Sequence, residues 1–265
     1  MDALEPPYHL ETVRDWKELE RLIRLRAPLG CILDIFPLDP VSILRALRKL
    51  RRDHPSPALI ACSDFTGREM ELYHLGRLNV DGVIRLEEEL PARRILGIVD
   101  RAMVAALASM VLRSVEDQHP PLVREAVRWA IEHAEHRPQV SDLAAALALS
   151  PRSLARELKT AGVAPPSSLL LWGRLIQASY LLAGPHETVE SVAFRLAYST
   201  AGALRKALKR HVGCSPTALL KRGGLALTLE AFERTGLPRE KPRRSRWAST
   251  GSSTWRSSPH TRMPR

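Results

Sequence analysis

The chain has 265 residues, of which 45% are hydrophobic and 26% are charged, and its formal net charge is +11. This length and composition suffice for two modest domains with packed cores. No run of about 18 or more apolar residues occurs and no secretory signal is visible, so the sequence indicates neither a membrane span nor export. The three cysteines are scattered and odd in number, which indicates buried thiols in a reducing cytoplasm rather than disulfides or a metal site.

The positive charge is concentrated in the second half of the chain. Residues 1–120 hold 17 basic and 19 acidic residues, residues 121–223 hold 14 and 7, and residues 224–265 hold 9 and 3. A near-neutral part joined to a basic part indicates that the two parts have separate functions and that the basic part binds a polyanion. Charge alone does not distinguish DNA from RNA or from an acidic membrane surface.

The first 117 residues alternate short apolar runs with amphipathic segments. The apolar runs predict β-strands, and segments with apolar residues three and four apart predict helices. Strands that alternate with helices indicate an α/β domain with a parallel sheet and right-handed crossovers. We predict strands at 30–34, 58–63 and 82–86, helices at 41–53, 68–78 and 91–116, and a further strand and helix within 10–25.

One predicted strand, in the run Gly30-Cys-Ile-Leu-Asp34-Ile-Phe-Pro37, ends at an aspartate. With this run, residues 1–117 resemble a truncated response-regulator receiver domain of flavodoxin-like fold. The resemblance implies that Asp34 stands at the phosphoacceptor position, Ser63 at that of the family's hydroxyl and Arg85 at that of its lysine. The family's acidic pair for magnesium has no counterpart, and a carboxylate without its metal is a poor phosphoryl acceptor. The alternatives are a loop-capping or vestigial Asp34 and a module for dimerisation or docking.

The long predicted helix over 91–116 connects this domain to the rest of the chain. Its apolar stripe predicts either a homodimer contact or packing against its own sheet. The residues of the stripe are Ile95, Ile98, Val99, Ala102, Ala106, Met110 and Val111.

Residues 121–223 contain an internal repeat with an offset of about 50 residues. The two copies span about 140–160 and 189–211 and are joined by a predicted linker helix at about 166–183. Each copy has a short helix, a serine-containing turn and a second helix that ends at Gly and Pro, which is the pattern of a helix-turn-helix. Aligned pairs are Leu143 with Val192, Ala144 with Ala193, Ser150 with Ser199, and Leu158 with Leu208.

The second helix of a helix-turn-helix enters the major groove, with apolar residues toward the core and polar residues toward bases and phosphates. The serines of the two turns are expected to cap these helices. The alternative is a pair of amphipathic helices with solvated basic faces. The candidate DNA-binding residues are Ser150, Arg152, Ser153, Arg156 and Lys159 in the first copy and Ser199, Thr200, Gly202, Arg205, Lys206 and Lys209 in the second.

The repeat and its linker also resemble a known family. The resemblance rests on the turn Ser150-Pro-Arg-Ser-Leu-Ala-Arg, the linker pattern Arg174-Leu-x-x-Ala-x-x-Leu-Leu, the turn that ends in Tyr198-Ser, and the ending Gly213-Cys-Ser-Pro. With these motifs, residues 124–222 resemble the DNA-binding domain of AraC-type transcription regulators. The resemblance implies an all-α domain of two helix-turn-helix units that binds double-stranded DNA sequence-specifically, and it leaves room for a contact with RNA polymerase.

The second copy departs from the pattern of that family. The family has Gly-Phe before the serine, where this chain has Ala197 and Tyr198, and an aromatic residue in the recognition helix, where this chain has Leu204. We therefore expect base readout from the first copy and phosphate contacts from the second. The rival hypothesis is an adaptor that no longer reads DNA and acts by pairing with another regulator.

The remaining features indicate no enzyme and no cofactor. His133 and His136 are spaced for a metal, but no further ligand is near, so we predict no metal site. No catalytic motif or phosphate-binding glycine loop occurs, and the sequence predicts a cytoplasmic bacterial regulator. Residues 224–265 are expected to be a basic, mostly disordered tail in which 225–234 has helical spacing, because the rest buries too little apolar surface.

Overall fold

A computed structural model describes residues 10–237 of the chain except 27, 29, 36–39, 56, 79, 88–89, 114–117 and 185–186. The predicted disorder of the tail beyond residue 237 lies outside the described residues. In chain order the elements are α1 (Trp16–Arg26), β1 (Gly30–Leu33), α2 (Pro40–Asp53), β2 (Ala58–Ser63), α3 (Glu69–Arg77), β3 (Gly82–Arg85), α4 (Ala92–Arg113), α5 (Pro121–Glu132), a 3₁₀ turn (Ala134–His136), α6 (Val140–Ala146), α7 (Pro151–Thr160), α8 (Pro166–Leu181), α9 (Val189–Arg195), α10 (Ala201–His211), α11 (Pro216–Lys221) and α12 (Leu225–Thr235).

The first domain is built on a parallel sheet of β1, β2 and β3 in that spatial order, with Gly30 opposite Ala58. Side chains of β2 alternate between the two faces of the sheet, as the two-residue period of a strand requires. Leu59 and Ala61 pack with α1, α2 and α3 on one face, whereas Ala58 and Ile60 pack with α4 on the other. These layers agree with the α/β class predicted for this part of the chain.

Two predicted strands differ from the structure because local polar groups intervene. Residues 10–15 form no strand, and the carboxylate of Asp15 instead accepts a hydrogen bond from the backbone N–H of Glu18 (2.8 Å) at the start of α1. β1 ends at Leu33 rather than at Asp34, because the backbone N–H of Ile35 donates to the Ser63 hydroxyl (2.9 Å) instead of extending the ladder.

α4 packs against its own molecule along most of its length. Val99, Ala102 and Met103 lie against the sheet, whereas Leu107 and Val111 belong to the core shared with α5. The sheet and α5 therefore cover much of the apolar stripe that was considered for a homodimer contact. Of the two interpretations of this stripe, the structure supports packing against its own sheet.

By length and composition alone, α4 would be able to cross a membrane. It has 22 residues, and its most apolar window has a mean hydropathy of 1.9. Its position between the sheet and α5 accounts for these apolar residues, since a core helix has the same composition.

The second domain is organised around α8, which is buried on most sides. Where α8 crosses α5, Gly173 has no room for a side chain, because a Cβ atom there would lie 2.1 Å from the carbonyl oxygen of Ala130. Four residues further along, the amide nitrogen of Gln177 donates to the carbonyl of Ile131 (2.6 Å). A helix thus lies at Pro166–Leu181, where the linker helix is predicted, and it is also the centre of the core.

The ordered domain extends beyond the boundary predicted at residue 223. The helix expected at 225–234 is present as α12, and Phe232 is buried with its ring centroid 5.6 Å from that of Trp172. The hydroxyls of Thr228 and Ser179 are 2.7 Å apart in the same core. Residues 225–237 are therefore part of the packed domain, because α12 covers an apolar side of α8.

An ion-pair cluster connects the two domains. Arg195 of α9 places Nη2 3.1 Å from a carboxylate oxygen of Asp100 on α4, and its Nε donates to Glu135 in the 3₁₀ turn. Tyr180 of α8 packs beside these groups and contacts the apolar clusters of both domains. The second helix-turn-helix unit is thus joined by an ion pair to α4, the helix that packs against the sheet.

Candidate nucleic-acid interface

The first predicted recognition helix, α7, is held by a cap at one end and two leucines along one side. The Ser150 hydroxyl accepts a hydrogen bond from the backbone N–H of Ser153 (3.1 Å), and Pro151 occupies the first helical position. Leu154 and Leu158 are fully buried. The predicted cap and the predicted inward pair are therefore confirmed for the first copy.

The outward side of α7 carries its cations. Arg152, Arg156 and Lys159 are exposed, and the guanidinium of Arg156 lies 3.3 Å from the carboxylate of Glu157, a surface pair that solvent weakens. Ser153 is half-buried, and its hydroxyl lies 2.9 Å from that of Ser150. Ser153 thus takes part in the cap, while the three cations face solvent.

The second recognition helix, α10, is capped by a different residue from the one predicted. The Thr200 hydroxyl accepts a hydrogen bond from the backbone N–H of Ala203 (3.1 Å), and α10 begins at Ala201. The prediction that Ser199 caps this helix is wrong. Relative to the first copy, the second has one more residue between the serine and the helix, so the capping position passes to the next hydroxyl.

α10 presents a more basic surface than α7. Thr200, Gly202, Arg205, Lys206 and Lys209 are all exposed, as the sequence predicted, while Leu204 and Leu208 are fully buried. Arg210 is also exposed and was missed. The signal for it was present, because residues 206 and 210 are one helical turn apart and α10 contains no acidic residue.

The turns of the two units have the same unusual backbone. Ala148 and Ala197 have φ values of 54° and 52°, in the left-handed region that favours glycine. In each turn the residue after this alanine donates its N–H to a carbonyl five residues earlier, from Leu149 to Ala144 (2.9 Å) and from Tyr198 to Ala193 (2.8 Å). This is the Schellman helix ending. The repeat seen in the sequence is therefore a repeat of backbone geometry.

The linker helix α8 holds the second turn directly. The guanidinium carbon of Arg174 lies 3.9 Å from the centroid of the Tyr198 ring, and its Nε donates to the carbonyl of Leu196 (3.1 Å). Burial lowers the pKa of the Arg174 guanidinium from its usual value. Arg174 thus caps the end of α9 while it packs on the turn.

One predicted DNA-contacting cation already has an acidic partner. Nη2 of Arg205 on α10 lies 2.6 Å from Oε1 of Glu190 on α9, and both side chains are exposed. The hydrogen bond from Arg205 keeps the pKa of the Glu190 carboxyl below its usual value. At neutral pH the carboxylate is therefore charged, and any anion that approaches Arg205 competes with it.

The candidate phosphoacceptor lies at the edge of the sheet in the first domain. The Ser63 hydroxyl is buried and donates to the exposed carboxylate of Asp34 (2.7 Å). Arg85, at the end of β3, has its Nε 2.7 Å from the carboxylate of Glu87. The structure therefore brings Asp34 and Ser63 into contact, whereas the residues 36–39 that follow Asp34 lie outside the described part of the chain.

One member of the histidine pair, His133, packs on an aromatic side chain of its own helix. The ring of His133 stacks on that of Trp129 with centroids 4.2 Å apart, and its Nδ1 lies 3.0 Å from the Trp129 carbonyl oxygen. Within the described residues, no group of three or more His, Cys, Asp or Glu side chains is arranged to hold a metal ion.

Comparison with known proteins identifies the repeat region. Residues 143–222 match a family model described as a helix-turn-helix domain. One similar structure is a DNA-binding transcriptional dual regulator from Escherichia coli K-12, at 20% identity and a TM-score of 0.36, which covers 39% of this chain and 92% of that chain. Another is the DNA-binding domain of AdpA, the global transcriptional factor, in complex with a target DNA, at 32% identity and a TM-score of 0.32, which covers 43% of this chain and 94% of that chain. No curated protein matches this chain.

The family match begins within α6 and ends directly after α11, so it includes both repeat units and the linker helix. Residues 143–222 are a helix-turn-helix domain. The sheet domain lies outside the matched residues.

Proposed function

We propose that this protein is a cytoplasmic transcription regulator that binds double-stranded DNA sequence-specifically with α7 and α10. The observation that carries the proposal is the duplicated unit: two capped helices, each with a buried leucine pair and an exposed basic side, are joined through one buried linker helix. A basic helix that follows a tight turn is the element that such domains place in the major groove.

The side chains of the two recognition helices give them different roles in DNA binding. Arg152 and Arg156 on α7 are long, exposed and able to donate two hydrogen bonds to a guanine edge, so we assign base readout to them. On α10, Arg205, Lys206 and Lys209 neutralise phosphates, and Gly202 leaves space for the backbone to approach closely. Lys159 adds a phosphate contact at the far end of α7.

The sheet domain, in this proposal, is a degenerate receiver-like module that serves as a docking surface. Its parallel sheet and the contact between Asp34 and Ser63 support this assignment. A purified protein that incorporates label from a small phosphodonor, and an Asp34→Asn variant that does not, would instead indicate that phosphorylation is retained.

A genomic selection of bound fragments, followed by salt titrations on the selected site, tests the proposed function. Arg156→Ala is expected to reduce the difference in binding free energy between selected and random DNA by about 1–3 kcal/mol, because a base contact is lost. Lys209→Ala is expected to weaken binding on all duplexes alike and to reduce the salt slope by about one, because one phosphate contact is lost.

The matched control is Arg45→Ala, which removes an exposed cation from α2 in the sheet domain. It should leave both the specificity ratio and the salt slope unchanged. If Arg156→Ala and Lys209→Ala bind every duplex as the parent does, the assigned interface is wrong. A parent protein that selects no sequence and co-purifies with another regulator would support the adaptor hypothesis instead.

A further inference from the structure

The side chain of Arg195 lies where three parts of the molecule meet. Arg195 is the last residue of α9, the first helix of the second helix-turn-helix unit. Its Nη2 lies 3.1 Å from a carboxylate oxygen of Asp100 on α4, and its Nε donates to Glu135 (2.5 Å) in the 3₁₀ turn that precedes α6. One guanidinium therefore connects the second unit to the start of the first unit and to the sheet domain.

These contacts are half-buried, so solvent weakens them less than it weakens an ion pair on the surface. The side chains of Arg195, Asp100 and Glu135 are 24%, 30% and 31% exposed, whereas those of Arg205 and Glu190 are 50% and 64% exposed. A guanidinium presents its N–H donors in a rigid planar fork, so two carboxylates bound to it are held in a defined direction. The cluster therefore constrains the orientation of α9 as well as its distance from α4.

The apolar part of the same junction holds the domains together without fixing an angle. Tyr180 contacts the apolar clusters of both domains, and its buried hydroxyl has no hydrogen-bond partner among the described residues. Burial of apolar surface is non-directional, and a hydroxyl without a partner adds no direction to it. Tyr180 therefore stabilises the contact between the domains, while the orientation comes from Arg195.

The position of α9 determines the position of the second recognition helix. Val192 and Leu196 are buried in one core with Leu204 and Leu208 of α10, so α9 and α10 move together. When a protein reads DNA with two recognition helices, their separation sets the spacing of the two DNA segments that they contact at once. Since α7 belongs to the first unit, a rotation of α9 relative to the first unit changes the separation of α7 and α10.

We propose that Arg195 is a positioning residue that sets the spacing between the two halves of the DNA site, and that Asp100 makes this spacing depend on the sheet domain. The inference rests on the proposed function, because it concerns the same two recognition helices. Arg195 makes no contact with DNA in this proposal and acts by holding α9. A displacement of α4 would then change the spacing that is bound, with no change in the residues of α7 or α10.

The test uses the full-length protein and the site that genomic selection yields, with its original spacing and with one base pair inserted or removed between its halves. Fluorescence anisotropy at fixed salt gives the spacing ratio, which is the affinity for the original site divided by that for an altered site. Arg195→Met is expected to lower this ratio at least about fivefold, because α10 is no longer held at one distance from α7. A loss of stability alone would weaken binding to every duplex by the same factor and leave the ratio unchanged.

The part played by the sheet domain is tested with a double-mutant cycle. Asp100→Asn keeps the contact between Arg195 and Glu135, so it should lower the spacing ratio by a smaller factor than Arg195→Met. The double variant should resemble Arg195→Met, because Asp100 acts through Arg195 and the two effects are then not additive. Tyr180→Phe is the matched control at the junction, since it removes only the unpartnered hydroxyl and should keep the spacing ratio of the parent.

Three outcomes overturn the proposal. Arg195→Met with the spacing ratio of the parent would show that Arg195 does not position α10, and an equal loss in Tyr180→Phe would mean that any disturbance of the junction has this effect. Additive losses from Arg195→Met and Asp100→Asn would show that Asp100 acts independently. If Arg195→Met does not fold, an unchanged ratio in Asp100→Asn counts against the proposal. A parent that selects no sequence would refute the proposed function itself, whereas these outcomes at a selected site refute only the role of Arg195 and Asp100.

Discussion

The Arg174 side chain stacks on the Tyr198 ring, with 3.9 Å between guanidinium carbon and ring centroid, and also donates to the Leu196 carbonyl. One residue of the linker helix thereby orients the turn from which the second recognition helix starts. Since α8 is buried in the core, the direction of α10 depends on this contact as well as on its own leucines.

Arg174→Met is therefore expected to destabilise the protein by about 2 kcal/mol, because a half-buried charged hydrogen bond and a cation–π contact are lost together. Urea unfolding measures this. Arg152→Met removes an exposed cation from α7 and should change stability by no more than about 0.5 kcal/mol. Equal effects of the two substitutions would contradict the role given to Arg174.

A second prediction concerns Ala148 and Ala197, whose backbone lies in the left-handed region. Ala197→Gly is expected to stabilise the domain by about 0.5–1 kcal/mol, because glycine adopts a φ of 52° without the steric cost that alanine bears. Ala148→Gly should behave in the same way. Ala155→Gly, in the interior of α7 and exposed, should instead destabilise by about 1 kcal/mol. Thermal unfolding of the three variants distinguishes a backbone effect from a general effect of glycine.

Glu190 is expected to restrain DNA binding through its contact with Arg205. Glu190→Gln removes a negative charge from the proposed interface and releases Arg205, so affinity should rise several-fold and the salt dependence should steepen. Fluorescence anisotropy with a selected duplex over a salt series measures both. Glu187→Gln removes a carboxylate from the segment before α9 as a control. Weaker binding by Glu190→Gln would mean that Glu190 positions Arg205 for DNA rather than competing with it.

Gly173 should tolerate no side chain. Gly173→Ala places a Cβ atom 2.1 Å from the Ala130 carbonyl oxygen, so α5 and α8 must separate, and we expect a loss of more than about 2 kcal/mol. Gly97→Ala, within α4, places its Cβ atom 3.5 Å from the Arg101 guanidinium and should be neutral or stabilising by up to about 1 kcal/mol. Similar unfolding midpoints for the two variants would show that the helices are not in close contact at Gly173.

The sequence predicted the features that depend on neighbouring residues. Apolar spacing placed the three strands, the repeat helices and the linker helix within a few residues of their observed ends, because burial on one face repeats with the period of the element. The serine before Pro151 predicted a cap for the same local reason. In the second copy one extra residue shifted the cap from Ser199 to Thr200, and periodicity is not sensitive enough to detect such a shift.

The amino-acid sequence by itself determined that this chain has a basic, duplicated helical region behind an α/β region, since charge and periodicity are properties of short stretches. Only the tertiary structure decided which distant groups meet: Arg174 with Tyr198, Arg205 with Glu190, and α12 with α8. The physical reason is that these contacts depend on how helices cross, which is set by the fit of many side chains at once and leaves no repeating signal along the chain.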